Sequence, residues 1–335
     1  MLLFGALACT GDDGTSPTDT PEPHETAGPT ADTGTTSVTH HSGGHTATPS
    51  WPEVHCADLV AAPLVATVLD QPRATHDVAF DPEGRLVASD GNALLRWPHD
   101  GAGAPWVPAI GPLHQVDWLP DGGLAVTVAT TALLERVDPD DGGRQVLAAS
   151  LPAYGLRTGP DGWLWVTDGQ ALARVDPASG QREVLLQTLP DGRPKVVGFD
   201  HRARHVYVGT VGGTGTVYRI PLDRSGALAG TPEPFATGIG GGWHDALVVD
   251  ACDNVYVTDA VTTSIVRIDP AGAATVVLDP PTEGHAHGLR FGSGVGGWRS
   301  DALYAALPYG GDRVAEIVVG VPAADFEGGR YVVVD

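Results

Sequence analysis

The chain contains little lysine, methionine or cysteine, and it lacks long apolar runs. Its 335 residues include one lysine (Lys195), one methionine and three cysteines. Lysine and arginine together number 19 against 41 acidic residues, which gives a formal net charge of −22. Such a surface repels the phosphates of nucleic acids and anionic lipid headgroups, so we expect neither as a direct partner. No apolar stretch reaches the ~18 residues of a membrane-spanning helix, so none is predicted.

The first nine residues, MLLFGALAC, are apolar up to Ala8, and polar residues follow from Thr10 onward. A small residue before a cysteine is typical of the end of a bacterial lipoprotein signal, in which the cysteine carries the lipid. We therefore interpret residues 1–9 as the remnant of a lipoprotein signal, with a plain export signal as the alternative. The sequence predicts an exported protein of the bacterial cell envelope, in the outer membrane or periplasm, that contacts the membrane only through a lipid on Cys9.

Residues 10–52 consist largely of Thr, Pro, Gly, Asp and Ser. This composition cannot bury a core, so we expect a disordered linker that tethers a folded domain at residues 53–335. Four histidines of the linker are interpreted as solvated residues, with weak metal chelation as the alternative: His24, His40, His41 and His45.

After Trp51, short runs alternate apolar and polar residues between Gly, Pro, Asp and Asn, which is typical of many short strands. These runs form six copies of one repeat of about 40 residues. The copies begin HDVAFDPEGRLVASD, HQVDWLPDGGLAVTV, YGLRTGPDGWLWVTD, KVVGFDHRARHVYVGT, DALVVDACDNVYVTD and HGLRFGSGVGGWRSDALYAAL. Four short strands per repeat describe a propeller blade. The sequence therefore predicts an all-β, six-bladed β-propeller of four-stranded antiparallel blades, with five or seven blades as alternative counts.

One strand outside the six copies is expected to close the ring. Residues Ala62 to Asp70, APLVATVLD, resemble the outer strand of a blade, and we expect them to complete the last blade, because closure removes exposed strand edges. We expect the closed propeller to be monomeric. If Cys9 is lipidated, Cys56 and Cys252 remain in an oxidising compartment, where they either form a disulfide or stay unpaired.

The repeat also predicts which residues meet at the centre of the ring. The first strand of each propeller blade lines the central channel, and the amino-terminal end of this strand opens at one face. One residue of each copy stands at that end: His76, His114, Tyr154, Lys195, Asp245 and His287. All six are polar, whereas a position that only fills space would vary among small residues.

Imidazole and carboxylate groups at one place suit a divalent metal ion, either a zinc-like ion or calcium. The predicted ligands are His76, His114, His287 and Asp245. A divalent ion lowers the pKa of a water molecule that it binds, which favours hydrolytic chemistry near neutral pH.

Other residues of this ring are candidates for catalytic roles. Asp245 or its neighbour His244 could act as a general base, while Lys195 and Tyr154 could stabilise an oxyanion. His285 lies two residues before His287, and in an extended chain it points to the same side.

A purely structural role is the alternative for the same residues. The channel could be polar and water-filled, with the ring residues bonded to one another, and His244 could merely cover the rim. Three tryptophans are interpreted as packing residues: Trp51, Trp243 and Trp298. Three acids that end second strands are expected to accept hydrogen bonds from turn N–H groups: Asp90, Asp168 and Asp259.

From Ala62 to Asp335 the sequence resembles the six-bladed propellers of the gluconolactonase–regucalcin family and the related NHL-repeat proteins. The segment HDALVVDACDNVYVTDAVTTSIVRIDPAG carries the resemblance most clearly. The resemblance implies that Asp245 is a metal ligand and candidate base. The family's glutamate ligand falls at His76, and its asparagine ligands have no match because Tyr154 and Lys195 occupy those blades. These differences favour a zinc-like ion over calcium.

The histidine-rich ring is also similar in style to the peptidyl-hydroxyglycine amidating lyases, which hold zinc with three histidines from different blades. His76, His114 and His287 are the candidates for that arrangement. Three functional hypotheses therefore stand: a metal-dependent hydrolase of the lactonase type acting on a small molecule, a zinc-dependent lyase, and a non-catalytic propeller that binds a glycan, peptide or protein. The sequence does not decide whether the protein is an enzyme, because a fold does not fix chemistry.

Overall fold

The computed structural model describes residues 51–278, 285–325 and 330–334. The predicted signal remnant, Cys9, the linker histidines and residues 10–50 of the predicted linker lie outside these residues. Two strands precede the first blade: β1 (Glu53–His55) and β2 (Ala66–Arg73). Among the described residues, no helix has the length and hydropathy required to cross a bilayer.

Six four-stranded antiparallel sheets follow, as predicted. The first three blades contain β3 (Val78–Phe80), β4 (Leu86–Ser89), β5 (Leu94–Trp97) and β6 (Ala104–Val107); β7 (Leu113–Trp118), β8 (Leu124–Val128), β9 (Leu133–Val137) and β10 (Arg144–Ala148); and β11 (Leu156–Thr158), β12 (Leu164–Thr167), β13 (Leu172–Val175) and β14 (Arg182–Leu186).

The next two blades contain β15 (Arg193–Phe199), β16 (His205–Val211), β17 (Val217–Pro221) and β18 (Glu233–Ala236); and β19 (His244–Val249), β20 (Val255–Asp259), β21 (Ser264–Ile268) and β22 (Ala274–Leu278). The last blade contains β23 (Leu289–Phe291), β24 (Ala302–Leu307) and β25 (Arg313–Val318). The final strand, β26 (Val332–Val334), lies outside the blades.

The predicted closing strand is confirmed. Strand β2 pairs antiparallel with β25 as the outer strand of the sixth blade, with Ala66 opposite Ile317 and Thr67 opposite Glu316. The sixth blade thus combines a strand from the start of the described chain with three strands from near its end. This pairing joins the two ends of the ring, because a blade assembled from distant segments cannot open without losing a strand ladder.

Each blade is buried on both faces, because alternate residues of a strand point to opposite neighbours. In β12, Leu164 and Val166 pack toward the second blade, whereas Trp165 packs toward the fourth. All three side chains are fully buried. Truncating a buried aromatic residue such as Trp165 to alanine typically costs about 3–5 kcal/mol. The turns also follow the prediction, since Asp90, Asp168 and Asp259 each accept two backbone N–H bonds from the following turn.

A strap crosses the face of the fifth blade that carries its β19–β20 turn. Strand β1 pairs in parallel with β26. Directly after β1, Cys56 forms a disulfide with Cys252, which lies in the β19–β20 turn. The disulfide closes a loop of 196 residues and ties the start of the described chain to the blade that contains Asp245. The possible pairing of these two cysteines is confirmed.

Candidate functional site

The six residues at the heads of the inner strands meet at one end of the channel. Three of them stand in or beside irregularities of strand pairing. The register shifts between Leu113 and Val116, where His114 lies, around Lys195 in β15, and around Asp245 in β19. A β-bulge re-aims a side chain by inserting an extra residue into the ladder. The bulges therefore direct these three side chains toward the axis.

The six side chains form a closed ring of contacts, in the order predicted from the repeat. The imidazole centroids lie 5.5 Å apart for His76 and His114, and 4.8 Å apart for His76 and His287. The ring of Tyr154 lies 4.4 Å from that of His114 and 5.1 Å from the Lys195 ammonium. Asp245 completes the ring by contacting Lys195 and His287.

Asp245 contacts three side chains in and beside this ring. Its Oδ1 lies 2.5 Å from Lys195 Nζ and accepts a hydrogen bond of 3.1 Å from the indole Nε1 of Trp243. Its Oδ2 lies 3.5 Å from His287 Nε2 and has no hydrogen-bond partner among the described residues, although it is buried. A buried carboxylate oxygen without a partner is costly, which makes Oδ2 an open position for a cation or a donor.

His285 and His287 approach this open oxygen together. Their Nε2 atoms are 2.9 Å apart. Within the described part of the chain, Asp245, His285 and His287 form the group whose potential ligand atoms all lie within 4.8 Å of one another. This set shares Asp245 and His287 with the predicted ligands. His285 takes part in it, as its position two residues before His287 suggested, while His76 and His114 stand farther around the ring.

The glycine after His287 allows the sixth and first blades to approach closely here. Gly288 donates its N–H to the carbonyl of His76 at 2.6 Å. A Cβ atom on Gly288 would lie 2.3 Å from Asp77 Oδ1 and 2.5 Å from the His76 carbonyl. A larger residue at 288 would therefore push the two blades apart, along with the histidines that they carry.

Burial keeps two of the imidazoles uncharged at neutral pH. It lowers the pKa of His114 and of His287 to about 4, and it lowers the pKa of His285 as well. Burial also lowers the pKa of Lys195, against the opposing effect of the Asp245 carboxylate. His76 donates from Nδ1 to the carbonyl of Thr75 at 2.6 Å, which places the lone pair of the neutral ring on Nε2. Neutral imidazoles are the form that binds metal ions.

His244 lies outside this ring, so the role of general base considered for it is not supported. It is fully buried between the fourth and fifth blades. Its Nδ1 accepts the N–H of Thr210 at 3.0 Å, and its Nε2 faces the carbonyl of Ile239 at 3.3 Å. Gly209 provides the space, since a Cβ there would lie 3.1 Å from His244 Nδ1. The bulge that turns Asp245 inward turns its neighbour away.

Three exposed aromatic side chains lie at this site: Tyr154, which belongs to the ring, and Trp243 and Tyr309, which lie beside it. Sequence reasoning identified only Tyr154. Trp243 and Trp51 are each 47% exposed, so neither is the packing residue of the core that was expected. The ring of Trp243 lies 4.5 Å from Lys195 Nζ. Tyr309 is 69% exposed, and its ring centroid lies 4.3 Å from that of His285 with the ring planes tilted by 31°. Neither Trp243 nor Tyr309 stands at the head of an inner strand. The position of Trp243 two residues before Asp245 could have indicated that it lies near the ring. Trp298, by contrast, is buried as expected.

The chain matches no protein-family model and no curated protein. Its fold nevertheless recurs among solved structures. A gluconolactonase from Xanthomonas campestris superposes with a TM-score of 0.63 at 18% identity, over 83% of this chain and 99% of the other. The calcium-binding protein regucalcin from Agrobacterium tumefaciens gives 0.60 at 20% identity, over 79% and 97%.

The chain has the fold of the gluconolactonase and regucalcin propellers. Virginiamycin B lyase from Staphylococcus aureus is similar too, with a TM-score of 0.55 at 14% identity, over 76% of this chain and 99% of the other. At these identities the likeness concerns the fold, so the chemistry must be argued from the ring itself.

Proposed function

We propose that the ring at the mouth of the channel binds a divalent metal ion and that the protein is an exported, metal-dependent hydrolase of the lactonase type. The observation that carries the proposal is the unpartnered Oδ2 of Asp245 beside the Nε2 atoms of His285 and His287. The fold shared with a gluconolactonase supports the reaction class. Export is supported by the Cys56–Cys252 disulfide, because such bonds persist in oxidising compartments.

The donor set fits a zinc-like ion. Ligand atoms that lie about 2.1 Å from a zinc ion at tetrahedral angles are about 3.4 Å from one another. The separations of 2.9 Å between the two histidine nitrogens and 3.5 Å between His287 Nε2 and Asp245 Oδ2 lie on either side of that value, and the ligand atoms of His285 and Asp245 lie within 4.8 Å of each other. Two nitrogens and one oxygen favour zinc or a related ion over calcium, which takes oxygen ligands. An ion held there would polarise a carbonyl group and lower the pKa of a bound water.

The remaining ring residues suit the other needs of ester or lactone hydrolysis. The ammonium of Lys195 places a positive charge beside Asp245. This charge can stabilise the negative charge that develops on the carbonyl oxygen of the substrate during attack. The Nε2 lone pair of His76 can accept a proton from an attacking water. Tyr154, Trp243 and Tyr309 offer exposed ring faces that can hold the body of a cyclic substrate.

Metal analysis and a hydrolysis assay on untagged protein test this proposal. We expect about one zinc-like ion per chain and base uptake in a pH-stat with δ-gluconolactone or γ-butyrolactone. His285→Gln and His287→Gln should lose the metal and at least about a hundredfold in rate, since removing one group that stabilises the charge of the transition state typically costs about 10²–10³ in kcat. His55→Gln is the matched control, because His55 is an exposed histidine on β1. Absence of both metal and hydrolysis in the wild-type protein contradicts the proposal.

The exposed aromatic rim favours a second candidate function, the non-catalytic binding of a glycan or another ring-bearing ligand. Trp243 and Tyr309 expose about half or more of their surface beside a polar floor, which is the usual makeup of a ligand site. This candidate predicts that Trp243→Ala abolishes binding while no lactone, ester or glycoside is turned over. Trp51→Ala is the control, since Trp51 is also 47% exposed but lies away from the ring in sequence and contacts.

A further inference from the structure

A cavity of about 750 Å³ opens at the other end of the channel, where the inner strands finish. The volume falls within the ~300–1,000 Å³ that is usual for small-molecule sites. Its wall includes four aromatic residues, each the last residue of an inner strand: Phe80, Trp118, Phe199 and Phe291. The cavity is separate from the candidate metal site, which lies at the amino-terminal ends of the same strands.

A bridge of ion pairs forms the floor of this cavity and spans the channel. Asp117 Oδ1 lies 3.1 Å from Arg290 Nη1 and 3.8 Å from Arg157 Nη1. Arg290 Nη2 also lies 3.4 Å from Asp77 Oδ2, and Arg157 donates from Nη2 to the carbonyl of Leu247 at 3.2 Å. Two carboxylates thus match the two arginines, so the floor leaves no positive charge unpaired.

The other titratable groups of the lining also have partners, with one exception. Asp200 accepts a hydrogen bond of 2.8 Å from His205 Nδ1, and His201 donates from Nδ1 to Asp253 Oδ1 at 2.7 Å. The exception is Asp325. Apart from its own backbone N–H, its carboxylate has no hydrogen bond or ion pair in the part of the chain that the structure describes. The lining therefore carries one negative charge without a partner.

Asp325 is accessible to a ligand, although the cavity shields it from bulk water. The residue is exposed and lines the cavity. The surrounding protein raises the pKa of its carboxyl, and the charge of Asp117 raises that pKa further. The backbone next to it is fixed, because Ala324 donates its N–H to the carbonyl of Val249 at 2.9 Å. A positively charged group at this position would stabilise the carboxylate.

The surroundings of Asp325 favour an organic cation over a metal ion. Among the described residues, the acids of this cavity form no group with three potential ligand atoms within 4.8 Å of one another, unlike those at the ring. Trp118 directly follows Asp117 in the sequence, and Phe291 directly follows Arg290. The charges of Asp117 and Arg290 both act on the Asp325 carboxyl, so it lies on the side of the cavity that the two aromatic residues line. Aromatic faces attract organic cations.

We propose that this lower cavity binds a small organic monocation, namely a protonated amine with an aromatic or branched apolar body. The ammonium group donates hydrogen bonds to the Asp325 carboxylate, and the apolar body packs against the aromatic wall. The arginines of the floor repel a second positive charge, which favours a monocation over a diamine. The net charge of −22 draws cations toward the protein at long range.

Calorimetric titration with matched probes tests this site. We expect 3-phenylpropan-1-amine, which is protonated at neutral pH, to bind at least about tenfold more tightly than 3-phenylpropan-1-ol, because only the amine forms a charge-assisted bond with the carboxylate. The anion 3-phenylpropionate should bind more weakly than the alcohol. Asp325→Asn should remove the preference for the amine and leave the binding of the alcohol unchanged. Asp70→Asn is the matched control for loss of one negative charge, since the side chain of Asp70 on β2 is 95% exposed.

A second variant locates the binding in this cavity and keeps the test decisive if Asp325→Asn fails to fold. Ser293 lies on a loop at the cavity wall, so Ser293→Trp should fill the cavity and block both the amine and the alcohol. Equal affinity for amine and alcohol, a preference for the amine that survives Asp325→Asn, amine binding that survives Ser293→Trp, or no binding of the amine at millimolar concentration would each overturn the proposal. None of these outcomes depends on metal binding or hydrolysis at the opposite end of the channel.

Discussion

Lys195 and Asp245 form an ion pair between the fourth and fifth blades, with Lys195 Nζ 2.5 Å from Asp245 Oδ1 and each side chain 7% exposed. Lys195 is the one lysine of the chain, and it lies between the rings of Tyr154 and Trp243. The ammonium contacts one oxygen of the carboxylate, and the other has no hydrogen-bond partner in the part of the chain that the structure describes. The pair therefore sets the charge at this side of the ring and leaves Asp245 Oδ2 as the oxygen available to the proposed metal ion.

This pair predicts opposite effects of one substitution on metal binding and catalysis. In Lys195→Met the repulsion between ammonium and metal disappears, so zinc affinity should rise by at least about tenfold. Hydrolysis should fall by at least about a hundredfold, because charge stabilisation of the developing oxyanion is lost. Competition with a metallochromic indicator and the pH-stat assay measure the two effects. Arg182→Met provides the control, and weaker zinc binding by Lys195→Met would contradict the assignment.

The buried position of His114 predicts a loss of stability on acidification. Its pKa of about 4 lies below the value of 6.5 for an exposed histidine. As the pH falls from 6.5 toward 4, the unfolded chain binds a proton at this residue and the folded chain does not, so the free energy of unfolding decreases. His114 contributes at most about 3 kcal/mol to this decrease in the free energy of unfolding at pH 4.

Urea unfolding at several pH values measures this contribution. His114→Gln should lose less stability than wild type between pH 7 and pH 4, while His55→Gln should follow wild type. Parallel curves for wild type and His114→Gln would show that His114 already binds a proton in the folded protein well above pH 4.

Substitutions of the adjacent residues His244 and Asp245 should have different effects: the first should lower stability, and the second should remove the metal. His244→Ala removes two buried hydrogen bonds and leaves a cavity beside Gly209, so it should lower the free energy of unfolding by about 2–4 kcal/mol. The metal content should stay at the wild-type level in this variant. Asp245→Asn should lose the metal. Denaturant unfolding and elemental analysis of both variants test this expectation. If His244→Ala remains folded but contains no metal, then His244 has more than a structural role.

The disulfide should make a large contribution to stability, since it closes a loop of 196 residues. Replacing Cys56 and Cys252 together by alanine should lower the free energy of unfolding by about 2–5 kcal/mol. Dithiothreitol should lower the melting temperature of the wild-type protein and leave that of the double variant unchanged. An equal response of the two proteins to the reductant means that the bond does not form in solution.

Much of the fold followed from the sequence, because one repeat of about 40 residues specifies one blade and fixes which residue heads each inner strand. That relation also identified the six members of the ring and their order. The outer strand β2 was recognisable because its apolar pattern lacked inner strands of its own.

The details of the ring were not accessible in the same way. Trp243 and Tyr309 come from connections outside the repeat position, and such segments carry no periodic signal. The side chains of His244 and Asp245 point in opposite directions because of a β-bulge, and the bulge is defined only by the pairing of the strands. The choice of His285 over His76 and His114 as a neighbour of Asp245 follows from distances of a few ångström, which a spacing in sequence does not resolve.

Arg290, Asp117 and Arg157 form a bridge of ion pairs across the channel, at the end opposite the ring. This bridge affects how molecules enter and leave the ring. Because these side chains span the channel, a molecule that reacts at the ring cannot pass on toward the other face. In the proposed hydrolysis, the product would therefore leave through the opening by which the substrate arrived. Accumulated product therefore competes with substrate for entry, and turnover at high conversion should show competitive inhibition by the product acid.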